Sequence, residues 1–91
     1  MTVEVRMPTI LRPHVGGVAS VKATGTTVGE IFDGLVQQYP SLKDHLITPA
    51  GDLHRFVNVY RNDDDIRYLE RMQTPLNESD VVSIIPAVAG G

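Results

Sequence analysis

Alternation of apolar and polar residues marks two extended segments near the start of the chain. Residues 2–7 alternate strictly, which is the two-residue period of a half-buried strand. Residues 18–24 repeat the pattern, with their apolar positions at Ala19, Val21 and Ala23. Residues 8–17, which contain two prolines and a Gly-Gly pair, read as a long loop between them. Two early strands joined by a loop predict an antiparallel hairpin.

The strongest local signal is that of a helix. Thr27 and Glu30 have the spacing of a capping box. Apolar residues then recur at helical spacing and form one stripe, at Val28, Ile31, Phe32, Leu35, Val36 and Tyr39. Pro40 ends the helix because it cannot continue the hydrogen-bond ladder. Residues 41–46 predict one further turn.

Three strands are predicted in the second half. They are residues 55–61, a short segment near 65–68, and residues 81–85. The first is rich in β-branched and aromatic residues, and the last is a near-continuous apolar run suited to the middle of a sheet. Residues 48–54 and 69–80 predict loop and irregular structure.

The predicted order is therefore hairpin, helix, strand, short strand and strand. This order is typical of an α+β domain in which one main helix crosses a mixed sheet of four to five strands, and a β-grasp arrangement has it. The 91 residues suffice for one core. We predict a domain over residues 1–86 and a flexible tail over residues 87–91.

Charge, hydropathy and cysteine content exclude several classes of function. The net charge of −3 and the scattered Lys and Arg residues argue against a nucleic-acid partner, which requires a clustered positive field. No apolar run approaches the roughly 20 residues of a membrane span, and the first strand lacks the pattern of a signal peptide, so we expect a cytoplasmic protein. The absence of cysteine excludes disulfides, thiolate nucleophiles and cysteine-rich metal sites.

Most candidate sites have an ordinary structural interpretation. The segment 25–29 lacks the lysine and glycine spacing of a phosphate loop, so a turn and a helix cap account for it. His14, His45 and His54 are too separated for a helical metal pair, and no metal site is expected. The acidic run 63–65 lacks the pattern of a calcium loop and predicts a solvated hairpin tip.

The last residues carry the one remaining candidate. Pro86 closes the predicted last strand, and Ala87, Val88 and Ala89 lead to Gly90 and Gly91. The glycines are consistent with an inert linker remnant. They are also consistent with a working end, because small residues suit an extended course through a partner's groove and glycine allows the backbone into a narrow slot.

The chain resembles the ubiquitin-like sulfur carriers of thiamine and molybdopterin biosynthesis, and among them most nearly the carriers of actinobacterial cysteine biosynthesis. The resemblance covers nearly the whole chain. It is carried by PTILRPHVGG (8–17), LHRFVNVYRNDDDIR (53–67) and SIIPAVAGG (83–91). The sequence Asn-Glu-Ser-Asp at 77–80 stands where many relatives have a glycine turn. The Pro-Ala-Val-Ala lead-in favours the cysteine-type carriers over the molybdopterin type.

The resemblance implies a carrier rather than an enzyme, with the α-carboxylate of Gly91 as its working group and no cofactor of its own. It implies an E1-like partner that uses ATP and Mg²⁺ to adenylate Gly91, after which a protein persulfide converts it to a thiocarboxylate. The acceptor is then a cysteine synthase-like enzyme holding an aminoacrylate on pyridoxal phosphate (PLP), or another sulfur-incorporating synthase. A metalloprotease would release the new cysteine.

The resemblance also implies partner-binding positions, which are Pro86, Ala87, Val88, Ala89 and Gly90. From the strand pattern, Phe56, Asn58 and Tyr60 share one side of the central strand, opposite Val57 and Val59. Whichever set faces solvent is a candidate docking face. Three alternatives remain open, namely a ubiquitin-like modifier conjugated through Gly91, a molybdopterin synthase small subunit, and a binding module with an inert tail.

Overall fold

The computed structural model describes residues 2–50, 53–54 and 57–86. This part of the chain forms one five-stranded mixed sheet with the strand order β2-β1-β5-β3-β4. The strands are β1 (Thr2–Arg6), β2 (Ser20–Thr24), β3 (Val57–Arg61), β4 (Asp64–Asp65) and β5 (Val81–Pro86). The helices are α1 (Val28–Gln38) and α2 (Lys43–Leu46), with 3₁₀ helices at Thr9–Val15, Pro40–Leu42, Ile66–Tyr68 and Arg71–Gln73. The predicted β-grasp fold is confirmed.

Pairing of the strands places β5 in the centre of the sheet. Strands β1 and β2 form the predicted antiparallel hairpin. Strand β5 then pairs parallel with β1, with Glu4 opposite Val81 and Arg6 opposite Ser83, and antiparallel with β3 on its other side. The predicted central position of this strand is confirmed, although among its described side chains Val82 and Ile84 are buried and Ile85 is 46% exposed.

Helix α1 begins at the predicted cap. The Thr27 side chain accepts a hydrogen bond from the backbone N–H of Glu30 at 3.2 Å. The Glu30 carboxylate accepts bonds from the backbone N–H and the hydroxyl of Thr26, at 2.7 and 2.8 Å. The carboxylate therefore binds Thr26, the residue before the N-cap. These hydrogen bonds lower the pKa of Glu30.

One face of the sheet and the apolar stripe of α1 form the core. Val28, Ile31, Phe32 and Leu35 of the helix are buried. They pack in a single cluster with the inward residues of the strands, of the Thr9–Val15 3₁₀ helix and of α2. These partners include Val3, Val5, Leu11, Val15, Val21, Leu42, Leu46, Val59, Val82 and Ile84. The other face of the sheet, called here the outer face, has no helix across it within the described residues.

The long loop predicted for residues 8–17 is wrong. Most of it is a 3₁₀ helix over Thr9–Val15, whose buried residues are Leu11 and Val15. Gly16, with a φ of 78°, ends the helix in the left-handed conformation that glycine adopts most readily. Strand β2 accordingly begins at Ser20, and Ala19 is exposed rather than part of the apolar face.

The strand predicted near residues 65–68 is also mostly wrong. Strand β4 covers Asp64–Asp65 only, and Ile66–Tyr68 is a 3₁₀ helix. The Asp65 carboxylate caps this helix by accepting a bond from the backbone N–H of Arg67 at 2.9 Å. A side chain that satisfies the first free N–H competes with continued strand pairing.

Removing the cap of α1 tests its contribution to stability. We expect Thr27→Ala to lower the free energy of unfolding by about 1 kcal/mol, the usual cost of losing a threonine cap. Chemical denaturation followed by circular dichroism measures this change. Ser79→Ala, at an exposed turn position, is the matched control and should leave the midpoint unchanged. Equal midpoints for wild type and Thr27→Ala would contradict the assigned cap.

Candidate functional site

The end of β5 is where the predicted working tail begins. Val82 and Ile84 are buried beneath α1, at 0% and 3% exposure, so the strand is fixed by the core. On one edge β1 pairs with β5 only as far as Ser83. On the other edge β3 follows β5 to its last residue, where Val57 is opposite Pro86. The strand thus includes Pro86, one residue beyond the predicted end.

The predicted reactive and partner-binding residues Ala87, Val88, Ala89, Gly90 and Gly91 lie outside the described residues. Their roles therefore stay predictions. For Pro86 the structure gives the backbone pairing and its position as the last residue of β5. Pro86 thus ends a strand that lies in the middle of the sheet and not at an edge.

An asparagine–aspartate pair holds the start of β5. Asn62 exchanges two hydrogen bonds with Val81, through its backbone N–H at 2.7 Å and its side-chain oxygen at 3.0 Å. Its amide nitrogen donates to Asp80 at 3.0 Å, and Asp80 in turn accepts from the backbone N–H of Asn77 at 2.9 Å. Our sequence reading missed this pair, although Asn and Asp at turn positions are a usable signal.

The outer face around β3 and β5 is a mixed polar and apolar surface. Asn58 and Tyr60 lie there half-buried, whereas Val57 and Val59 point into the core. The register places Ser83 next to Tyr60 and Ile85 next to Asn58. Ile85 is 46% exposed. The predicted division of the strand into two faces is confirmed, but Phe56 lies outside the described residues and the docking role stays a prediction.

Arg67 is fixed at the edge of this face. Its guanidinium donates to the Asn58 side-chain oxygen and to the Asp65 carboxylate at 3.1 Å. The arginine hydrogen bonds lower the pKa of Asp65, which is only 9% exposed. The prediction of a solvated acidic tip is therefore wrong for Asp65, because its carboxylate is turned inward as a cap.

Two of the three histidines meet in the fold. His14 Nδ1 lies 3.0 Å from the Ser41 hydroxyl, and the His14 and His45 rings have centroids 4.5 Å apart. His54 is elsewhere, and its backbone N–H donates to Leu46. Among the described residues, no group of three or more His, Cys, Asp or Glu side chains is arranged to hold a metal. In the same part of the chain, no helix is long and apolar enough to cross a membrane.

The five-stranded mixed sheet, with β5 at its centre and one main helix across it, defines a ubiquitin-like β-grasp protein. Residues 5–91 match the ThiS family, and the chain belongs to this family. The predicted family is confirmed.

Full-length relatives support this assignment. The chain is 47% identical to the sulfur carrier protein CysO of Mycobacterium tuberculosis, with all of both chains covered. The crystal structure of the Amycolatopsis orientalis BexX/CysO complex is similar with a TM-score of 0.89 and 45% identity, covering 98% of this chain and 99% of that chain. The small archaeal modifier protein 1 from Methanosarcina acetivorans is similar at 0.87 and 29%, covering 99% and 96%.

Loss of the Asp80 carboxylate tests the anchor at the start of β5. The pKa of Asp80 is lowered by its bonds to the Asn77 backbone and the Asn62 side chain. Such stabilisation is complete above the unfolded pKa and is lost as the pH falls through the folded pKa. We therefore expect Asp80→Ala to lower the free energy of unfolding by about 1 kcal/mol at pH 7.

The pH dependence is the sharper part of this test. In urea denaturation, the gap between wild type and Asp80→Ala should narrow as the pH falls from 6 towards 2, because wild-type Asp80 becomes protonated. Glu78→Ala, an exposed carboxylate in the same turn, is the control. A gap that stays constant over this range would contradict the proposed role of the Asp80 charge.

Proposed function

We propose that this chain carries sulfur as a thiocarboxylate on Gly91 and delivers it to a biosynthetic acceptor. The observation that carries the proposal is the position of β5. A buried central strand, paired on both edges, runs directly into the Ala-Val-Ala-Gly-Gly segment. Membership of the ThiS family and 47% identity to CysO support the same function.

The chemistry follows from the properties of a carboxylate. The group is ionised at neutral pH and is a poor electrophile, so it must first be activated. An E1-like enzyme with ATP and Mg²⁺ forms the acyl-adenylate and releases pyrophosphate. The terminal sulfur of a partner's persulfide then displaces AMP, and a second partner thiol breaks the sulfur–sulfur bond. The carrier leaves as the thiocarboxylate and the partner as a disulfide.

The carrier supplies position and docking, whereas its partners supply catalysis. We assign cysteine formation as the acceptor reaction, in which the anionic sulfur adds to an aminoacrylate held on a partner's PLP, and a metalloprotease then frees the cysteine. Similarity to CysO supports this assignment. The similarity to the BexX/CysO complex supports the proposal that such a carrier docks on a protein partner, and another sulfur-incorporating synthase is the second acceptor class.

Protein conjugation is the second candidate function. A modifier would use the same activated Gly91 but transfer it to a lysine amine. The similarity to a small archaeal modifier protein favours this second candidate function, because the two proteins share the fold. Isopeptide-linked adducts in cell extract would support the modifier. Sulfide-dependent thiocarboxylate formation would support the carrier, including its molybdopterin synthase variant.

Intact-mass spectrometry tests the reaction at Gly91. After incubation with ATP, an E1-like enzyme and a sulfur source, we expect one oxygen of the terminal residue to be replaced by sulfur. Deletion of Gly91 should abolish loading and leave the melting temperature unchanged, since the described sheet ends at Pro86. An unchanged wild-type mass, with an enzyme that loads a related carrier, would refute the proposal.

A substitution on the outer face tests the docking prediction. Tyr60→Ala removes a half-buried aromatic ring beside the tail-bearing strand. We expect the KM of the activating enzyme for the carrier to rise about fivefold or more, as is usual for an aromatic interface anchor, with little change in kcat. Thr24→Ala, at the far edge strand β2, is the control. A KM equal to that of wild type would remove Tyr60 from the docking face.

A further inference from the structure

A cavity of about 420 Å³ lies at the edge of the sheet beyond β3. Strand β4 pairs with Tyr60 and Arg61, so among the described residues the first three positions of β3 have no strand partner on that edge. The cavity is found there, between β3 and the segments that carry the last two 3₁₀ helices. Its lining residues are Leu53, His54, Val57, Ile66, Arg67, Arg71 and Met72. Its volume falls within the usual range of binding sites.

The lining combines an apolar surface with cationic groups. Leu53, Val57, Ile66 and Met72 are apolar, and no acidic side chain contributes to the described lining. Arg67 is already paired with Asp65. Among the described residues the ion pairs are those of Arg6 with Glu4 and of Arg67 with Asp65, so the Arg71 guanidinium has no carboxylate partner in that part of the chain. The chemistry that complements such a site is a carboxylate beside an apolar group.

The backbone of Arg71 is in an unusual conformation. Its φ of 53° lies in the left-handed region, which residues other than Gly, Asn and Asp seldom adopt. The surrounding structure holds it there. The buried Thr74 donates its backbone N–H to the carbonyl of Arg71, and its hydroxyl accepts from the N–H of Glu70. Strain of this kind in an arginine is concentrated at binding sites.

The cavity lies next to the end of β5. Val57 lines the cavity and is the register partner of Pro86. A protein that grips the residues after Pro86 would therefore lie against the cavity as well. The chain as a whole has a net charge of −3, so its overall charge repels an acidic group of a partner, whereas the two arginines at the cavity attract it.

We propose that this cavity binds an acidic side chain, with an apolar neighbour, of the enzyme that activates the tail. The inference rests on the proposed function, since it assumes that Gly91 is activated by a partner. Arg71 forms the ion pair with the partner's carboxylate, Arg67 lies beside it, and the apolar lining receives the neighbouring side chain. The site recognises the enzyme and takes no part in the chemistry at Gly91.

Kinetics of adenylation test this role. With a purified E1-like enzyme, we expect Arg71→Glu to raise the KM for the carrier about tenfold or more, as for the loss of a charge-assisted hydrogen bond, with kcat nearly unchanged. Lys22→Glu makes the same charge change on β2, at the opposite edge of the sheet, and should leave the KM within twofold of wild type.

A glycine variant separates recognition from stability. Arg71→Gly removes the guanidinium and also the strain at a positive φ, which glycine tolerates. We therefore expect its melting temperature to equal or exceed that of wild type, while its KM rises. The wild-type KM should also increase with ionic strength more steeply than that of Arg71→Gly.

The outcomes distinguish the two proposals. If the wild-type chain is loaded normally but Arg71→Glu and Lys22→Glu have the same KM, the cavity proposal is overturned. The proposed function is then unaffected. A rise in the KM of Arg71→Gly that is accompanied by a fall in its melting temperature would also overturn the cavity proposal, because the two changes together indicate a structural role. Wild-type chain that a competent enzyme does not load would overturn the proposed function and this inference together.

Discussion

The parallel pairing of β1 with β5 is the constraint on which the rest of the structure depends. Parallel neighbours cannot be joined by a short turn, so the chain between them must leave the sheet and return. Here that excursion contains the second strand, the main helix and the β3–β4 pair. The last strand then enters between β1 and β3, and its apolar residues complete the core beneath α1. The domain is closed by the same strand from which the tail departs.

This arrangement fixes the start of the tail. A group carried on a strand at the edge of a sheet would begin from a part of the fold that opens more readily. Strand β5 is instead held on both edges, and Asn62 and Asp80 hold its first residue. Because β5 is already ordered up to Pro86, binding of a partner at this end of the strand does not have to order the strand itself, which lowers the entropic cost of binding.

The single main helix lies across one face of the sheet, and within the described part of the chain no helix covers the outer face. Its half-buried residues mix polar side chains with one exposed isoleucine, Ile85. Such a surface is compatible with a free protein in water and still offers apolar area to a partner. The short β4 strand has a similar effect at the sheet edge, because the cavity lies where that strand stops.

Periodicity predicted the elements that are governed by local pattern and burial. The hairpin, the capped helix, the central last strand and the inward direction of Val57 and Val59 all follow from repeats of two or 3.6 residues. The wrong predictions concern segments whose conformation depends on particular side-chain contacts. Leu11 and Val15 draw residues 9–15 into the core as a 3₁₀ helix, and Arg67 turns Asp65 from a solvated tip into a cap.

The candidate sites show the same limit. The tail could be proposed from sequence because its residues are contiguous and its chemistry is that of a chain end. The cavity could not, because it is built from segments that span residues 53–72 and owes its position to a strand two residues long. His14 and His45 likewise meet only through the packing of a 3₁₀ helix against α2. Contacts of this kind leave no periodic trace in the sequence.

Under the proposed function, reactivity and recognition belong to different parts of the molecule. A glycine carboxylate has no side chain that distinguishes one carrier from another. A partner that is specific for one carrier therefore has to recognise another part of the domain. The outer face provides shape and apolar area, and the cavity at Arg71 provides a local positive charge on an acidic protein. Both adjoin the last paired residue of β5, which allows one partner to read the domain and hold the tail at the same time.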